Sequence, residues 1–372
     1  MNKAFPEVKK NFGFGCMRLA MNGDEVNKDI FDQMIDAFIG AGFNYYDTAH
    51  GYIGGKSEKA IRDCLVARYP REAYLLTDKL SLFMIDKKED VAPFFEDQLK
   101  CCGVDYFDFY LIHALDRGAY RKALDFGAFE FVSALKEQGR IKHIGISFHD
   151  TAEVLDRILS EQPEIEAVQL QINYLDYDDP AVQSKACYDV AVKHGKKVIV
   201  MEPVKGGALV NLPEAAEKVL DELNGGSYAS YAIRYAASYP EVFMVLSGMG
   251  SMEMMEDNLG YMTDFVPLSD AELAATDKVR EIVRTVDQVP CTGCEYCMDP
   301  CPMDILMPRV FAAFNSYLAA KATRGEAREA LGEMGKKATE CIECGACAAV
   351  CPQKIEIPEQ LKKAVKALRL DK

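Results

Sequence analysis

No run of about 18 uncharged apolar residues occurs in the 372-residue sequence, so a simple membrane-spanning helix is excluded. The opening segment, MNKAFPEVKKNFGFG, also lacks a continuous apolar core ahead of a small-residue cleavage site. From both absences we expect a soluble, cytoplasmic protein without a membrane partner. A basic surplus is missing too. The formal charge is −15, and nucleic acid, whose phosphates need a basic face, is not an expected partner. Residues 286–372 balance 12 acidic against 12 basic side chains, so the acidic excess lies wholly in residues 1–285, as a well-solvated surface. Low-complexity segments and solenoid repeats are absent, and 49% apolar with 27% charged residues is the balance of a globular chain. The length suits one β/α barrel of roughly 250 residues with a small appendage.

Cysteine is abundant, but not in the manner of a disulfide-rich secreted domain. Eight of the 13 cysteines fall in two short runs, CTGCEYCMDPCP at 291–302 and CIECGACAAVCP at 341–352. Each reads C-x2-C-x2-C-x3-C-P, a spacing that lets three thiolates of one loop surround a cluster while the fourth cysteine reaches elsewhere. Zinc also takes C-x2-C pairs, yet needs no four-cysteine run followed by proline, and here that run occurs twice. The two runs resemble those of two-cluster ferredoxins. That resemblance implies two [4Fe-4S] clusters, one held by Cys291, Cys294, Cys297 and Cys351, the other by Cys341, Cys344, Cys347 and Cys301. A helix-prone stretch from Leu306 to Lys337 separates the runs, as in the helix-rich ferredoxin modules of multi-domain oxidoreductases. Cys16, Cys64, Cys101, Cys102 and Cys187 are scattered, and we expect them to be packing residues.

Upstream, short apolar runs alternate with segments of helical period. The runs are FGFGCMRL (12–19), FNYYD (43–47), AYLLTDK (73–79), FDFYLIH (107–113), IKHIGISF (141–148), AVQLQIN (167–173), KVIVMEP (197–203) and VFMVLSGM (242–249). Eight strands with intervening helices predict a (β/α)8 TIM barrel followed by a small, mostly helical two-cluster domain. Thr151 and the Ser227 region precede two of the helices. Ser269 and Glu272 form a candidate capping box for a helix to about Arg284. Pro290 and the first clustered cysteine then place the expected boundary between 1–285 and 286–372.

Barrel enzymes carry catalytic residues at the C-terminal ends of their strands. Here Asp47, Lys79 and His113 close three successive runs, and Tyr52 lies five residues beyond Asp47. Singly, each has a structural explanation, as an ion pair or a hydrogen-bonded core histidine. Together they suit carbonyl reduction, because a phenol can donate a proton beside an ammonium that an aspartate holds charged, while a neutral imidazole fixes the substrate oxygen. GGKS at 54–57 is not a phosphate loop, since the glycine required five residues before Gly55 is His50.

These residues and their surroundings, NYYDTAHGYIGGKSE (44–58), LLTDK (75–79) and CGVDYFDFYLIH (102–113), resemble the aldo-keto reductases. GFGCMRL, GISF and YAIRYAASYP extend the likeness over most of residues 11–260. The resemblance implies Tyr52 as general acid/base, Lys79 and Asp47 lowering its pKa, and His113 orienting the carbonyl. Ser147 and Gln171 stand where the family holds the nicotinamide carboxamide, and SGMGSMEMMEDN (247–258), with Asn258 in place, resembles its phosphate and adenine segment. Phe148 and Met201 depart from the usual asparagine and stacking aromatic. Gly248 and Met254 replace cations that grip the 2′-phosphate, so NADH is favoured over NADPH.

The function expected is therefore interconversion of a small carbonyl and its alcohol with NADH or NADPH, with the clusters serving structure or electron exchange with an external carrier. An alternative is an electron-transfer subunit whose barrel binds a ligand or partner without turnover. A cluster-dependent lyase needs an iron with an open position, and eight cysteines for two clusters leave none. The loop ALDRGAYRKALDFG after His113 is expected to shape the substrate pocket.

Overall fold

The computed structural model describes residues 4–371, which divide into two compact units. One is built from the chain up to Pro203 with Ala229–Leu268; the other comprises Val204–Tyr228 and the chain from Ser269 onward. The first unit contains strands β1 (Phe12–Gly15), β2 (Met21–Asn22), β3 (Glu25–Val26), β4 (Tyr45–Asp47) and β5 (Leu75–Leu80). It continues with β6 (Phe107–Leu115), β7 (Ile141–Phe148), β8 (Ala167–Gln171), β9 (Lys197–Met201) and β10 (Val242–Gly248). β1 and β4 to β10 pair in parallel and close on themselves as an eight-stranded barrel. Each predicted run overlaps one barrel strand, with β5 and β6 extending one and two residues beyond theirs, and the small antiparallel hairpin of β2 and β3 was not anticipated.

Strand alternation explains which side chains reach the interior, because residues two apart share a face. Tyr45, Leu75, Phe109, Leu111, Ala167 and Ile199 join one buried cluster, which also includes Phe5 and Val8 from the N-terminal segment. Continuing the alternation toward the strand ends carries Asp47, Lys79 and His113 onto that inner face. Gly13 is required by this crowding: a Cβ there would lie 2.8 Å from Leu246 and from Met244 Sδ. On the outer face, Phe14 packs edge-on against Phe31 of the helix Lys28–Gly40.

In the second unit, helix Asp270–Thr285 starts at the predicted capping box, with the Ser269 and Glu272 bonds both formed. The cysteine region that follows repeats itself at an offset of 50 residues. C-P-x-x-I-x-M-P at 301–308 matches C-P-x-x-I-x-I-P at 351–358, and each segment leads into a 12-residue helix with proline in its first turn, Met307–Leu318 and Ile357–Leu368. Backbone conformation follows the same repeat, with positive φ at Gly293 and Glu343, Glu295 and Gly345, and Asp304 and Lys354. Phe311, Phe314, Leu331, Leu361 and Leu368 build the core between these helices. Asn315 clamps the backbone ahead of the first cysteine, accepting from Val289 N at 2.8 Å and donating to Val289 O at 2.7 Å. Gly206 has φ of 61° and lies so near the cysteine loop that a Cβ would sit 2.2 Å from Thr292 O. No helix among the described residues is long and apolar enough to cross a membrane.

Candidate functional site

Asp47, Tyr52 and Lys79 meet at the C-terminal end of the barrel. Lys79 Nζ donates to Asp47 Oδ1 at 2.6 Å, to Thr48 O at 2.7 Å and to Tyr52 OH at 3.2 Å. An ammonium with no exposure survives burial only when so compensated, and removing one partner of such a pair costs about 3–5 kcal/mol. The His113 ring stands 6.1 Å from the Tyr52 ring, centroid to centroid, and its Nδ1 is bonded to Ser81 Oγ at 2.7 Å. The three residues predicted at strand ends and Tyr52 on the segment beyond Asp47 are thus brought together.

The electrostatics differ from the expectation in one respect. The Tyr52 phenol is pushed well above its ordinary value, first by burial and then by the Asp47 charge, with Arg18 acting in the opposite sense. The direction is opposite to the predicted lowering because burial disfavours the phenolate most, and the carboxylate that holds Lys79 repels it as well. In this state Tyr52 carries its proton, as a proton donor must. Burial raises Asp47, and Lys79 offsets that rise. Burial and then the Lys79 charge push His113 well below the usual imidazole range, so the ring is neutral.

Ser147 is the penultimate residue of β7 and Gln171 closes β8. Ser147 Oγ accepts from Ala114 N at 2.6 Å, while Gln171 donates to Asp176 Oδ2 at 2.6 Å. Buried Asn258 donates to Ser247 Oγ at 2.9 Å and lies on helix Met252–Met262. Met254 is exposed, and beside Gly248 stands Arg18, whose guanidinium is paired with Glu202 at 3.1 Å.

The segment after His113 is not the long loop expected. Asp116 accepts from Gly118 N and Ala119 N, both at 2.8 Å, and starts a helix over Arg117–Asp125. Phe83, which the sequence reading overlooked, is 55% exposed with its ring 5.4 Å from His113. Its only signal was an apolar residue four positions beyond Lys79.

The clustered cysteines line two cavities, and the fourth cysteine of each run crosses to the other. One cavity is bordered by Cys291, Cys294, Cys297 and Cys351. Cys301 joins Cys341, Cys344 and Cys347 around the second. None of the eight is in a disulfide. Burial and the neighbouring Cys294, Cys291 and Cys351 push the Cys297 thiol up to about 12; burial likewise raises Cys347. Four convergent sulfurs whose mutual repulsion opposes ionisation form a donor set that fits a cationic iron–sulfur group. Of the other five cysteines, all but half-buried Cys101 are buried.

Residues 11–281 match the aldo/keto reductase family. The chain belongs to the aldo/keto reductase family. It is an oxidoreductase of aldo-keto reductase type, and its residues 290–356 match the 4Fe-4S dicluster domain. L-galactose dehydrogenase of Arabidopsis thaliana is 26% identical over 298 residues, covering 74% of this chain and 91% of the plant protein. The uncharacterized oxidoreductase YqkF of Bacillus subtilis is 23% identical over 283 residues, 66% of this chain and 85% of its own length. Among solved structures, an aldo-keto reductase from Bacillus halodurans in its holo form superposes with a TM-score of 0.60 at 23% identity, covering 73% of this chain and 92% of that one. An aldo-keto reductase from Klebsiella pneumoniae in complex with NADPH gives 0.59 at 17% identity, covering 73% and 95%. At these identities the structural likeness speaks to the barrel fold.

Proposed function

We propose that this family member interconverts a small carbonyl compound and its alcohol with a nicotinamide dinucleotide, with Tyr52 as the acid/base. The observation that carries the reading is the Lys79 ammonium, 2.6 Å from Asp47 and 3.2 Å from the Tyr52 hydroxyl at the barrel's C-terminal end. When bound, the dinucleotide supplies the hydride and the iron–sulfur groups supply one-electron capacity. Tyr52 gives its proton to the carbonyl oxygen as the carbon gains the hydride, and Lys79 stabilises the phenolate left behind until solvent returns the proton. Asp47 keeps Lys79 charged and fixed. Ser81 Oγ and His113 Nδ1 are bonded; in this reading Ser81 is the donor, so that His113 carries its proton on Nε2, where it hydrogen-bonds the same carbonyl oxygen. Phe83 offers an apolar wall beside that oxygen.

We further propose two [4Fe-4S] clusters in a domain spanning 286–372, one on Cys291, Cys294, Cys297 and Cys351 and one on Cys301, Cys341, Cys344 and Cys347. They serve structure or exchange electrons with an external carrier, while residues 1–285 form the reductase domain. Ser147, Gln171 and Asn258 are proposed dinucleotide contacts. NADH is favoured because Gly248 and Met254 bring no charge to a 2′-phosphate and Arg18 is already paired with Glu202. The departures at Phe148, Met201, Gly248 and Met254 also favour a second reading, a barrel that binds without turnover.

The test is an anaerobic carbonyl and alcohol panel, run on cluster-loaded protein with NADH and NADPH separately. Turnover of at least one compound, at least as efficient with NADH, is expected. No turnover of any compound with either dinucleotide would favour the binding-only barrel.

A further inference from the structure

Behind Lys79, on the outer face of β5, the structure buries two acids that the proposed chemistry does not use. Asp78 and Glu58 have no exposure, and a carboxylate oxygen of each lies within 4.8 Å of the other and of Cys102 Sγ. Their donors are unevenly supplied. Asp78 Oδ1 accepts from Lys79 N at 2.7 Å and from Gln98 Nε2 at 2.9 Å, and Gln98 is itself held by Tyr110 OH at 2.5 Å. Oδ2 accepts from the weak Cys102 thiol at 3.6 Å. Glu58 Oε2 meets His50 Nδ1 at 2.9 Å, whereas Oε1, fully buried, meets no donor.

Other titratable groups near the pair do not relieve it. The Lys79 ammonium is committed to Asp47, Thr48 and Tyr52 on the inner face of the strand. On the side of helix Val91–Cys102, Asp97 adds negative charge near His50, and Cys101 donates its thiol toward Asp97. Lys59 lies near His50 but makes no ion pair with either acid. Two ionised carboxylates cannot remain this close in a dry interior without a cation or a proton between them.

We propose that Glu58 and Asp78 share one proton at neutral pH, forming a buried carboxyl pair of single negative charge whose counter-ion is His50. The missing donor for Glu58 is then that proton. Burial and the neighbouring Glu58 charge push Asp78 well above the carboxylate range, and Glu58 raises His50. The pair is a positioning element for the site, because Asp78 precedes Lys79 in the chain and its charge raises the Tyr52 phenol. This last consequence rests on the proposed role of Tyr52; the shared proton does not.

Infrared spectroscopy of the cluster-loaded protein at pH 8 tests the proton directly. A carboxylic-acid C=O band that shifts in D2O and disappears in Asp78→Asn is expected; Glu58→Gln serves instead if that variant does not fold. Stability gives a second readout. Because the Asp78 pKa is raised in the folded state, its contribution is full below the ordinary 3.8 and is lost as pH climbs through the raised value. The Tm of the wild type should therefore fall relative to Asp78→Asn as pH rises. Should Tyr52 be the acid, the alkaline limb of kcat/KM moves up in Glu58→Gln, which leaves the charge on Asp78, and down in Asp78→Asn, which leaves it on Glu58. Absence of the carboxylic-acid band overturns the shared proton. So does a stoichiometric non-iron divalent metal that is lost in Asp78→Asn, which would make the cluster a metal site. A band without opposite limb shifts would retain the proton and reject its link to Tyr52.

Discussion

Tyr52 can donate a proton only while it holds one, and burial beside Asp47 ensures that it does. Replacing it by phenylalanine removes the hydroxyl but keeps the ring over the Lys79 ammonium, 4.7 Å from the ring centroid. Tyr52→Phe is expected to lower turnover by about a hundredfold or more with dinucleotide affinity nearly unchanged. Steady-state kinetics and fluorescence titration read the two effects separately. His113 makes a pH prediction. Its folded-state pKa lies well below the ordinary 6.5, so the unfolded chain takes up a proton that the folded chain refuses. Stability is full above 6.5 and declines as pH falls below it, and His113→Gln should flatten that decline in Tm against pH. The positions of Asp47, Lys79 and His113 were legible because each ends an apolar run. The direction of the Tyr52 shift was not, since it depends on how deeply the phenol is buried. Nor were the Arg18–Glu202 and Glu58–Asp78 pairings, which join residues whose spacing in the chain carries no period.

Among the elements, local signals were the most readable. The Ser269 and Glu272 capping box forms as the sequence predicts, whereas Thr151 precedes helix Ala152–Glu161 without a side-chain cap bond. Ser269→Ala should cost the helix about 1 kcal/mol, seen as roughly fivefold faster amide exchange in its first turn. Asp116 turned an expected loop into a helix because its carboxylate satisfies two end-of-helix N–H groups, a signal hidden by the Arg-Gly that follows it. The two-residue strands Met21–Asn22 and Glu25–Val26 were unreadable, being too short to show alternation. Gly206 has a sharper consequence. Its positive φ and its approach to Thr292 leave no room for a methyl group, so Gly206→Ala should distort the loop carrying Cys291 and Cys294. Iron and acid-labile sulfide per chain should both fall in that variant. Undiminished content would show that the loop adjusts without loss.

For the whole molecule, the two cysteine runs were legible because their spacing is local, and the barrel because its eight runs are each apolar. The grouping of Val204–Tyr228 with the cysteine-bearing unit was not, since the Gly206 approach to Thr292 joins segments far apart in the chain. Two clusters predict about eight irons and eight sulfides per chain, and stoichiometric zinc without sulfide would contradict them. Dinucleotides deliver a two-electron hydride, whereas each cluster takes one electron at a time, and flavins ordinarily bridge that mismatch. Carbonyl reduction is therefore expected to proceed at Tyr52 without cluster reduction. Anaerobic addition of NADH and a turned-over carbonyl to flavin-free, cluster-loaded protein tests this most directly, with carbonyl loss and the electron paramagnetic resonance spectrum followed together. The account predicts carbonyl consumed in step with NADH and no reduced-cluster signal; rapid reduced-cluster signals with the carbonyl left intact would contradict it.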